Sequence, residues 1–327
     1  MAVDNAEILD FLKNKADRCR ILVVGDLMLD QYFYGTVTRI SPEAPVPVNL
    51  VKGIRNKLGG AANVAHNLSR LGCQVSISGA IGDDDHGHVL RGLLSELSVD
   101  QRGIIRTENR TITKIRILGG HQQMLRLDFE DKEDLSRDQE IDTMKLIHDI
   151  LANQVNGIIL SDYNKGFCTP GLCQQVIHAA HERNIPVFVD PKGVNLDKYD
   201  GADCITPNVK ELSDIIGHPV NNEDEDVVQA ARKIMEKYHL PRMVVTRSEK
   251  GMTVLSDTTE HTIPTEAKEV FDVSGAGDTV LAAFAAGVTG GLSPEMAASM
   301  ANRAAGIGVG KVGTYAVSRE EIIESLQ

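Results

Sequence analysis

The sequence contains no tryptophan, and aromatic residues make up only 4% of its 327 residues. Its five cysteines are odd in number and lack CxxC spacing, which argues against a disulfide framework or a zinc site. No stretch approaches the roughly 18 apolar residues of a membrane-spanning helix. The charged, amphipathic N-terminus does not resemble a signal peptide either. We therefore expect a cytoplasmic protein that does not associate with membranes.

Positive charge is also scarce in this chain. The formal net charge is -12, with 34 Lys and Arg residues against 46 Asp and Glu residues. An acidic chain without a basic stripe lacks the electrostatic footprint of a nucleic-acid-binding protein. Any phosphorylated ligand must therefore be held by local lysines, arginines or backbone N–H groups, and not by the overall field of the protein.

Two common nucleotide-binding motifs are missing as well. The sequence has no GxxxxGK[ST] motif, so it has no Walker-type phosphate loop. No GxGxxG motif follows the first predicted strand, which disfavours a dinucleotide-binding fold. A phosphate site in this chain must therefore be built in another way.

Short apolar runs alternate with helical patterns along the chain. The runs are rich in β-branched residues and mostly apolar throughout, which is typical of strands buried on both faces of a parallel sheet. Helical apolar stripes lie between them, for example in GGAANVAHNLSRLG at 59–72. The alternation predicts an α/β fold, a doubly wound and mostly parallel sheet with helices on both faces. The predicted strands lie at 21–26, 74–82, 157–163, 186–193, 204–208 and 243–248.

Two segments, at about 31–50 and 111–130, break this rhythm. The second alternates between apolar and polar residues over 125–130, and GGHQQ at 119–123 resembles a hairpin turn. We expect both segments to form half-exposed antiparallel strands, which together make a small β lid on a single domain covering 1–327. The apolar face of such a lid needs a cover, either a ligand or a second subunit.

Polar residues follow several predicted strands at the point where each strand ends. In an open α/β sheet, ligands bind outside the carboxyl ends of the strands. One such residue could be a helix cap or part of a surface ion pair, but several on one edge indicate a cleft. They are Asp26 and Asp30, Asp162 and Lys165, Asp190 and Lys192, Asn208 and Glu211, and Thr246 and Arg247.

The stretch DVSGAGDTV at 272–280 places one acid behind small residues at the start of an apolar helix. Gly275, Ala276 and Gly277 leave backbone N–H groups uncovered at a helix N-terminus, which suits a phosphate whose charge grows during transfer. Asp278 would repel that phosphate unless it accepts the proton of an attacking hydroxyl as a general base. The alternative is that Asp278 only stabilises the first turn of its helix.

A second glycine pair, Gly59 and Gly60, opens the helix that follows it. The pair permits close approach of the backbone to a ligand, and Asn63 could form hydrogen bonds with hydroxyl groups. This pattern is weak when it is taken alone. It gains weight from the second glycine-rich stretch near the other end of the chain.

Together, the two stretches resemble the two signatures of the ribokinase-like (PfkB-type) carbohydrate kinases, and their separation along the chain also fits. TPNVKEL at 206–212 resembles the N-x-x-E motif of the same family. The resemblance spans essentially the whole chain. It implies a ribokinase-like fold and ATP-dependent phosphorylation of a sugar, with Mg²⁺ accompanying ATP. Some members also use a monovalent cation, which is a further candidate cofactor.

The resemblance also implies a role for each candidate residue. Asp278 would be the catalytic base, and the N–H groups of Gly275, Ala276 and Gly277 would form the anion hole. The sugar-binding positions would be Asp30, Gly59, Gly60 and Asn63. The ATP-binding positions would be Thr246, Arg247, Gly251 and Asn302, with 301–314 bordering the adenine and with Asn208 and Glu211 near the Mg²⁺ ion, through water.

Further motifs narrow the resemblance to bacterial members that phosphorylate the anomeric hydroxyl of D-glycero-β-D-manno-heptose 7-phosphate, a step in ADP-heptose synthesis for lipopolysaccharide. These motifs are GDLMLDQYFYGTVTRISPEAPVPV, LSDYNKG, DPKG, VTRSEKGM and GKVGT. Such kinases occur alone or fused to an adenylyltransferase. We expect this chain, which ends at Gln327, to be either a stand-alone kinase or a portion of a fusion.

The same resemblance implies a basic site for the 7-phosphate of the sugar. Lys165 and Lys192 are the first candidates, and Arg39 and Arg116 are the others. We also expect a homodimer formed through the β lid. Two other functions stay open: another sugar or sugar-phosphate kinase of the family, or a catalytically silent sugar- or nucleotide-binding regulator. Retention of Asp278 argues against the silent regulator.

Overall fold

The computed structural model describes residues 5–120, 122–267, 269–311 and 313–327. The strands are β1 (Arg20–Gly25), β2 (Leu27–Ile40), β3 (Pro47–Gly60), β4 (Gln74–Gly82), β5 (Asp100–Thr107), β6 (Thr113–Gly119), β7 (Gln122–Phe129), β8 (Gly157–Ser161), β9 (Val187–Asp190), β10 (Cys204–Ile205), β11 (Arg242–Thr246), β12 (Met252–Ser256) and β13 (Glu260–Ile263). The helices are α1 (Asn5–Asn14), α2 (Ala61–Arg70), α3 (Asp85–Glu96), α4 (Arg137–Leu151), α5 (Pro170–His181), α6 (Val209–Ile216), α7 (Asp224–Lys237), α8 (Ala276–Thr289), α9 (Pro294–Gly308) and α10 (Arg319–Ser325).

The main sheet of the described residues has nine strands in the order β13-β12-β11-β10-β9-β8-β1-β4-β5. Neighbouring strands are parallel throughout the series β11, β10, β9, β8, β1, β4 and β5. At the other edge, β12 is antiparallel to β11, and β13 is antiparallel to β12. The predicted doubly wound, mostly parallel sheet is therefore confirmed. The antiparallel edge was not predicted, since β13 is short, polar and largely exposed, although β12 is a mostly buried run.

Helices cover both faces of this sheet, as β1 shows residue by residue. Ile21 and Val23 pack into one buried apolar cluster, to which α1, α2, α8 and α9 contribute. Leu22 and Val24 pack into a second cluster, to which α4, α5 and α7 contribute. Successive side chains of a strand point to opposite faces, so an uninterrupted apolar run requires a core on each side. No helix in the described part of the chain is long and apolar enough to cross a membrane.

A second sheet has the strand order β3-β2-β6-β7 and corresponds to the predicted β lid. The two hairpins, β2 with β3 and β6 with β7, are antiparallel as expected. The central pair, β2 with β6, is parallel, which the sequence did not predict. Both central strands leave the main sheet in the same direction, so their return strands take the outer positions. His121, in the turn predicted at GGHQQ, lies outside the described residues.

The strand register gives the lid two chemically different faces. Residues paired directly across neighbouring strands point to the same side of a sheet. The inner face, which overlies the carboxyl ends of the main sheet, carries charged and aromatic residues. These are Asp30, Tyr32, Arg55, Lys57, Lys114, Arg116, Arg126 and Asp128. The outer face is mostly apolar and comprises Phe33, Ile54, Ile115, Ile117, Leu125 and Leu127.

Candidate active site

The sheet topology brings the predicted strand-end residues to one edge. Strands β11, β10, β9, β8 and β1 are consecutive neighbours in the sheet, and all of them are parallel. Their carboxyl ends carry Thr246, Asn208, Asp190, Asp162 and Asp26 in that spatial order. The lid begins at the same edge, because β2 follows β1 after a single residue. The cleft therefore lies between this edge and the inner face of the lid.

Helix α8 begins at this cleft with Gly275 as its N-cap. Gly275 has φ +78°, and a β-carbon there would lie 2.8 Å from Asn63 Nδ2, so only glycine fits without strain. The N–H groups of Gly277 and Asp278 form no hydrogen bond with a described residue. That of Ala276 donates to the Val273 carbonyl at 3.1 Å. Of the three N–H groups predicted to form the anion hole, only that of Ala276 is already used, while those of Gly275 and Gly277 form no hydrogen bond with a described residue.

Asp278 is buried in the first turn of α8, with only 3% of its surface exposed. Asn63 Nδ2 donates to its Oδ2 at 2.7 Å, and the Tyr163 hydroxyl donates to its Oδ1 at 2.7 Å. Burial raises the pKa of Asp278 to about 6, while the hydrogen bonds from Asn63 and Tyr163 act in the opposite direction. The carboxylate is thus fixed in orientation and has a pKa close to the neutral range, which suits a general base.

Tyr163 is a site residue that the sequence analysis missed. Burial, together with the neighbouring charge of Asp278, raises the pKa of Tyr163 well above its usual value, so the phenol stays protonated as a donor. The loop that carries it is held by the Asp26 carboxylate, which accepts from the backbone N–H groups of Tyr163, Lys165 and Phe167 at 2.8, 3.2 and 3.1 Å. In the sequence, the only indication that Tyr163 belongs to the site is its position at the end of a strand.

The opposite wall of the site is the start of α2. Gly60, its N-cap, has φ +56°, and a β-carbon there would lie 2.4 Å from the Asp26 carbonyl oxygen. A β-carbon on Gly59 would lie 2.8 Å from Asp30 Oδ2, so the glycine leaves that carboxylate open. Asp30 is buried and accepts from Arg116 Nη1 at 2.6 Å. The four predicted sugar-binding residues thus lie together, and Asn63 uses one of its two amide N–H groups for Asp278.

The predicted basic residues for a second phosphate do not lie together. Lys165 forms an ion pair with Glu130 at 2.6 Å beside the root of the lid. Lys192 pairs with Glu211 Oε1 at 2.8 Å, on the N-x-x-E side of the cleft and away from the α2 wall. Arg39 is exposed near the end of β2. The four candidates are therefore spread over the cleft and the lid, and Arg116 is paired with Asp30.

The N-x-x-E motif forms a capping box at the start of α6. Asn208 Oδ1 accepts from the Glu211 N–H at 2.9 Å, and Glu211 Oε2 accepts from the Asn208 N–H at 3.1 Å. Asp190 lies nearby, and burial followed by the charges of Asp278 and Glu211 raises its pKa well above the usual value. No group of three metal-ligating side chains converges within the described ranges.

A cavity of about 410 Å³ lies on the far side of the α8 N-terminus. The predicted ATP residues Thr246, Gly251 and Asn302 line it, together with Ala276 and Gly277. Most of the remaining lining is apolar: Met252, Ala267, Val270, Val273, Val280, Ala305, Gly306 and Val309. The predicted adenine-bordering stretch 301–314 contributes several of these residues, while its Val312 lies outside the described part of the chain.

Arg247 does not line this cavity, which corrects its predicted role. Its side chain is fully buried, and its guanidinium donates to Asp224, to Asn222 Oδ1 at 2.9 Å and to Thr253 at 3.0 Å. A strand-end arginine can point either into the cleft or back towards a helix. Here the acidic first turn of α7 supplies Asp224, and the arginine ties that helix to β11 and β12.

Comparisons with known proteins agree with this geometry. The chain is 46% identical over 308 residues to the bifunctional protein HldE of Methylobacillus flagellatus, a match that covers 94% of this chain and 63% of that protein. It is 43% identical over 311 residues to the bifunctional protein HldE of Actinobacillus pleuropneumoniae, covering 94% and 64%. The chain therefore spans less than two thirds of the length of these relatives.

Solved structures share the fold at low sequence identity. The Arabidopsis thaliana ribokinase complexed with ribose and ATP superimposes with a TM-score of 0.75 at 22% identity, over 94% of this chain and 99% of that one. Phosphofructokinase-2 from Escherichia coli in complex with substrates and products gives 0.77 at 19% identity, over 94% and 98%. At these identities, the match shows a ribokinase-like fold.

The family assignment comes from the sequence as a whole. A model of the pfkB family of carbohydrate kinases matches residues 19–321, which include both glycine-rich stretches, the lid and the N-x-x-E motif. The chain therefore belongs to the pfkB family of carbohydrate kinases.

Proposed function

We propose that this chain is a single kinase domain that transfers the terminal phosphoryl group of ATP to the anomeric hydroxyl of D-glycero-β-D-manno-heptose 7-phosphate. The observation that carries the proposal is the buried Asp278 carboxylate, held between Asn63 and Tyr163 beside open N–H groups. The heptose assignment rests on the motif resemblance and on the relatives named bifunctional protein HldE. The product would enter ADP-heptose synthesis.

Asp278 has the geometry for proton removal from a sugar hydroxyl. Its two oxygens each accept one hydrogen bond, which leaves lone pairs that can face a ligand between the lid and α2. A hydroxyl within hydrogen-bond distance of this carboxylate would be oriented and would lose its proton to it as it attacks. The open N–H groups of Gly277 and Asp278 would stabilise the charge that develops on the transferring group.

The described residues fit ATP and Mg²⁺. The apolar lining of the cavity suits an adenine, and the open N–H groups at the start of α8 suit phosphate oxygens. When bound, MgATP supplies the phosphoryl group and the metal that neutralises its charge. Asn208 and Glu211 would lie near the metal and hold it through water, as the family resemblance implies. Lys192, paired with Glu211, would offer a positive charge to the phosphates. A monovalent cation remains a prediction of the family resemblance.

We also propose that two copies of the chain pair through the outer face of the lid. This face exposes Ile54, Leu125 and Leu127 at 54%, 51% and 38% of their surface. Apolar patches of this kind usually mark an interface. Equilibrium sedimentation of the wild type and Leu125→Lys would test the pairing. A dimer that becomes a monomer on substitution supports it, and a monomeric wild type contradicts it.

The kinase proposal is tested by incubating the protein with MgATP and a panel of sugars and measuring ADP release. The panel contains heptose 7-phosphate, fructose 6-phosphate, sedoheptulose 7-phosphate, ribose and fructose. The variants are Asp278→Asn and, as a matched control, Asp214→Asn, which makes the same change at an exposed residue of α6. Selective turnover of heptose 7-phosphate is expected, with kcat lowered about 10³-fold in Asp278→Asn only.

The other outcomes separate the rival functions. Turnover of a different sugar would retain the mechanism and overturn the heptose assignment. Binding of ATP and sugar without any turnover would favour the silent regulator. If Asp278→Asn were as active as Asp214→Asn, Asp278 would not be the general base and would only stabilise the first turn of α8.

A further inference from the structure

Four buried polar side chains form a hydrogen-bonded network between α2 and α8, here called the α2–α8 network. Asn63, Asn67, Asp278 and Thr279 are exposed at only 2%, 2%, 3% and 4% of their surface. Polar groups buried to this extent are costly unless they bond to one another. The proposed mechanism uses Asp278 and Asn63, whereas it gives no role to Asn67 and Thr279.

The distances connect the members of the α2–α8 network in one order. Asn63 Nδ2 donates to Asp278 Oδ2 at 2.7 Å. Asn67 Nδ2 donates to the Asn63 carbonyl at 2.9 Å and lies 3.5 Å from Asn63 Oδ1. The Thr279 hydroxyl donates to Asn67 Oδ1 at 3.0 Å. Because Thr279 directly follows Asp278, the network starts and ends on the first turn of α8.

Each bond of the α2–α8 network has one possible direction while Asp278 is charged. A carboxylate only accepts hydrogen bonds, so Asn63 must turn its Nδ2 group towards Asp278. Asn63 Oδ1 then faces Asn67, which must present its own Nδ2 group. Asn67 Oδ1 is left as an acceptor, and the Thr279 hydroxyl is its donor. Asn67 therefore holds the Asn63 amide in the orientation that donates to Asp278.

The Gly275 carbonyl is a second acceptor for the Thr279 hydroxyl. It lies 3.1 Å from Thr279 Oγ1, and it also accepts from the Thr279 N–H at 3.0 Å. The carbonyl is thus satisfied by a backbone donor, whereas Asn67 Oδ1 has no second donor among the described residues. Loss of the hydroxyl would leave the buried Asn67 Oδ1 without a partner, which is the larger cost.

The titratable groups that face Asp278 lie on other elements. The Tyr163 hydroxyl, in the loop after β8, donates to it, while Asp30 of β2, Lys114 of β6 and Asp190 of β9 interact with it through their charges. None of these four groups forms a hydrogen bond with Asn63 or Asn67 in the described structure. The direction of the Asn63 amide therefore depends on the α2–α8 network and not on the charged groups of the cleft.

We propose that Asn67 is a positioning residue, which fixes the Asn63 amide and through it the Asp278 carboxylate in the orientation that accepts the proton of the sugar hydroxyl. Thr279 completes the arrangement by holding Asn67. Both side chains are buried and bond within the protein, so their effect on the reaction is indirect. The inference rests on the proposed kinase function and deepens it.

The test compares Asn67→Ala, Thr279→Val and Thr279→Ser with the wild type. Asn67→Ala removes the amide, Thr279→Val removes the hydroxyl at nearly constant shape, and Thr279→Ser keeps the hydroxyl. We expect kcat to fall about 10-fold in Asn67→Ala and about 3-fold in Thr279→Val, and to stay near the wild-type value in Thr279→Ser. The KM for ATP should stay unchanged in all three variants.

Two control variants make the same chemical changes elsewhere. Asn153→Ala removes an exposed asparagine that donates to the carbonyl four residues earlier at 2.8 Å, as Asn67 does. Thr143→Val removes a fully buried threonine hydroxyl of α4 that has no hydrogen-bond partner among the described residues. Neither control should change kcat. Equal kcat values for Asn67→Ala and Asn153→Ala would overturn the proposal.

The pH dependence of kcat/KM separates positioning from a merely structural role. The hydrogen bond from Asn63 lowers the pKa of Asp278, so a loosened Asn63 amide should raise that pKa and move the acidic limb to higher pH. We expect this displacement in Asn67→Ala and Thr279→Val and its absence in Thr279→Ser. A lower melting temperature with an unmoved limb would make Asn67 a structural residue only. Should Asn67→Ala fail to fold, Thr279→Val decides by the same criterion.

Failure of the kinase proposal can be told apart from failure of this one. If the wild type prefers another sugar, the comparison is repeated with that sugar, and the same displacement still supports Asn67. If no sugar is turned over, the pKa of Asp278 is followed by NMR of protein labelled with carbon-13 aspartate, with Asp278→Asn to assign its signal. A higher pKa in Asn67→Ala then supports the positioning of the carboxylate, and an unchanged pKa overturns it.

Discussion

The two ends of the cleft, on either side of Asp278, are lined by different kinds of chemical groups. The sugar end consists of charged side chains, many of them paired, on the lid and on strand ends: Asp30 with Arg116, and Lys114 beside Tyr163. The nucleotide end consists of apolar side chains around a cavity and of open backbone N–H groups at the start of α8.

This difference indicates how each end should respond to mutation. Paired charges in a partly buried setting lose much of their stabilisation when one partner is removed, because the other is left without compensation. Backbone donors cannot be removed by a substitution, but an added side chain can block access to them. The sugar end should therefore be sensitive to charge, and the nucleotide end to volume.

Among substitutions at the two ends of the cleft, the largest effect is expected at the sugar end, for Asp30→Asn. Arg116 would lose its carboxylate partner in a site where the two side chains are only 15% and 7% exposed. We expect kcat/KM for the sugar to fall about 100-fold and the free energy of unfolding to fall by about 3 kcal/mol. The KM for ATP should change little. Kinetics with each substrate varied and denaturant unfolding measure these quantities.

An exposed ion pair provides the control for that substitution. Asp142→Asn breaks a pair with Lys145 in which both side chains are more than 60% exposed, at 67% and 69%. Such pairs contribute about 0–1 kcal/mol, so neither activity nor stability should change appreciably. If Asp30→Asn behaved like Asp142→Asn, the charged character of the sugar end would have no energetic consequence.

The next effect is expected at the nucleotide end, for Gly277→Ala. A β-carbon on Gly277 meets no described atom within 4 Å, so the protein should fold with unchanged or slightly higher stability. The methyl group would stand where phosphate oxygens approach the N–H groups, so we expect the KM for ATP to rise about 10-fold. The KM for the sugar should not change.

The neighbouring glycine gives the contrasting result. Gly275→Ala places a β-carbon 2.8 Å from Asn63 Nδ2 at a φ of +78°. It should lower the melting temperature, whereas Gly277→Ala should not. If Gly277→Ala lost stability and bound ATP as the wild type does, an added side chain would not block access to the N–H groups at the nucleotide end.

The smallest effect is expected between the two ends, for Tyr163→Phe. The variant removes the 2.7 Å hydrogen bond to Asp278 but keeps the ring that lies under Lys114. We expect kcat to fall about 5-fold, with both KM values close to those of the wild type, because the tyrosine positions the base and is not expected to bind either substrate. A change confined to the KM for the sugar would instead make Tyr163 a substrate-binding residue.

The sequence predicted the sheet and its ligand-binding edge well, because apolar runs such as β1 require burial on both faces and strand ends are easy to locate. Asp278, Gly275 and the α2 glycines could be found because glycine and acid residues at helix starts have few physical explanations. Their positions agree with the expectation, while their catalytic roles remain predictions.

Other features depend on side-chain direction, which spacing does not reveal. Arg247 follows a strand end like the neighbouring candidates, yet it turns towards Asp224 and away from the cavity. Asn208 and Glu211 cap α6 whether or not they also serve a metal. Tyr163 and Lys114 became recognisable only when the lid and the loop after β8 were placed against each other.

The central claim is that Asp278 is a buried base whose pKa lies near 6. Because burial raises this pKa above the usual value of about 4, the carboxylate should be charged above pH 6 and lose its proton-accepting capacity as the pH falls through 6. Substrate phosphates titrate in the same range, with a second pKa of about 6. The pKa of Asp278 is therefore tested by comparing the wild type with one variant on the same substrates, because the titration of the substrates is then the same for both proteins.

The measurement is the pH dependence of kcat/KM for the wild type and Tyr163→Phe. The hydrogen bond from Tyr163 lowers the pKa of Asp278, so its loss should move the acidic limb of the profile to higher pH. We predict a wild-type limb near pH 6 and a limb for Tyr163→Phe displaced upwards. Superimposable profiles, or a wild-type rate that stays constant down to about pH 4.5, would contradict the assignment of Asp278 as the base.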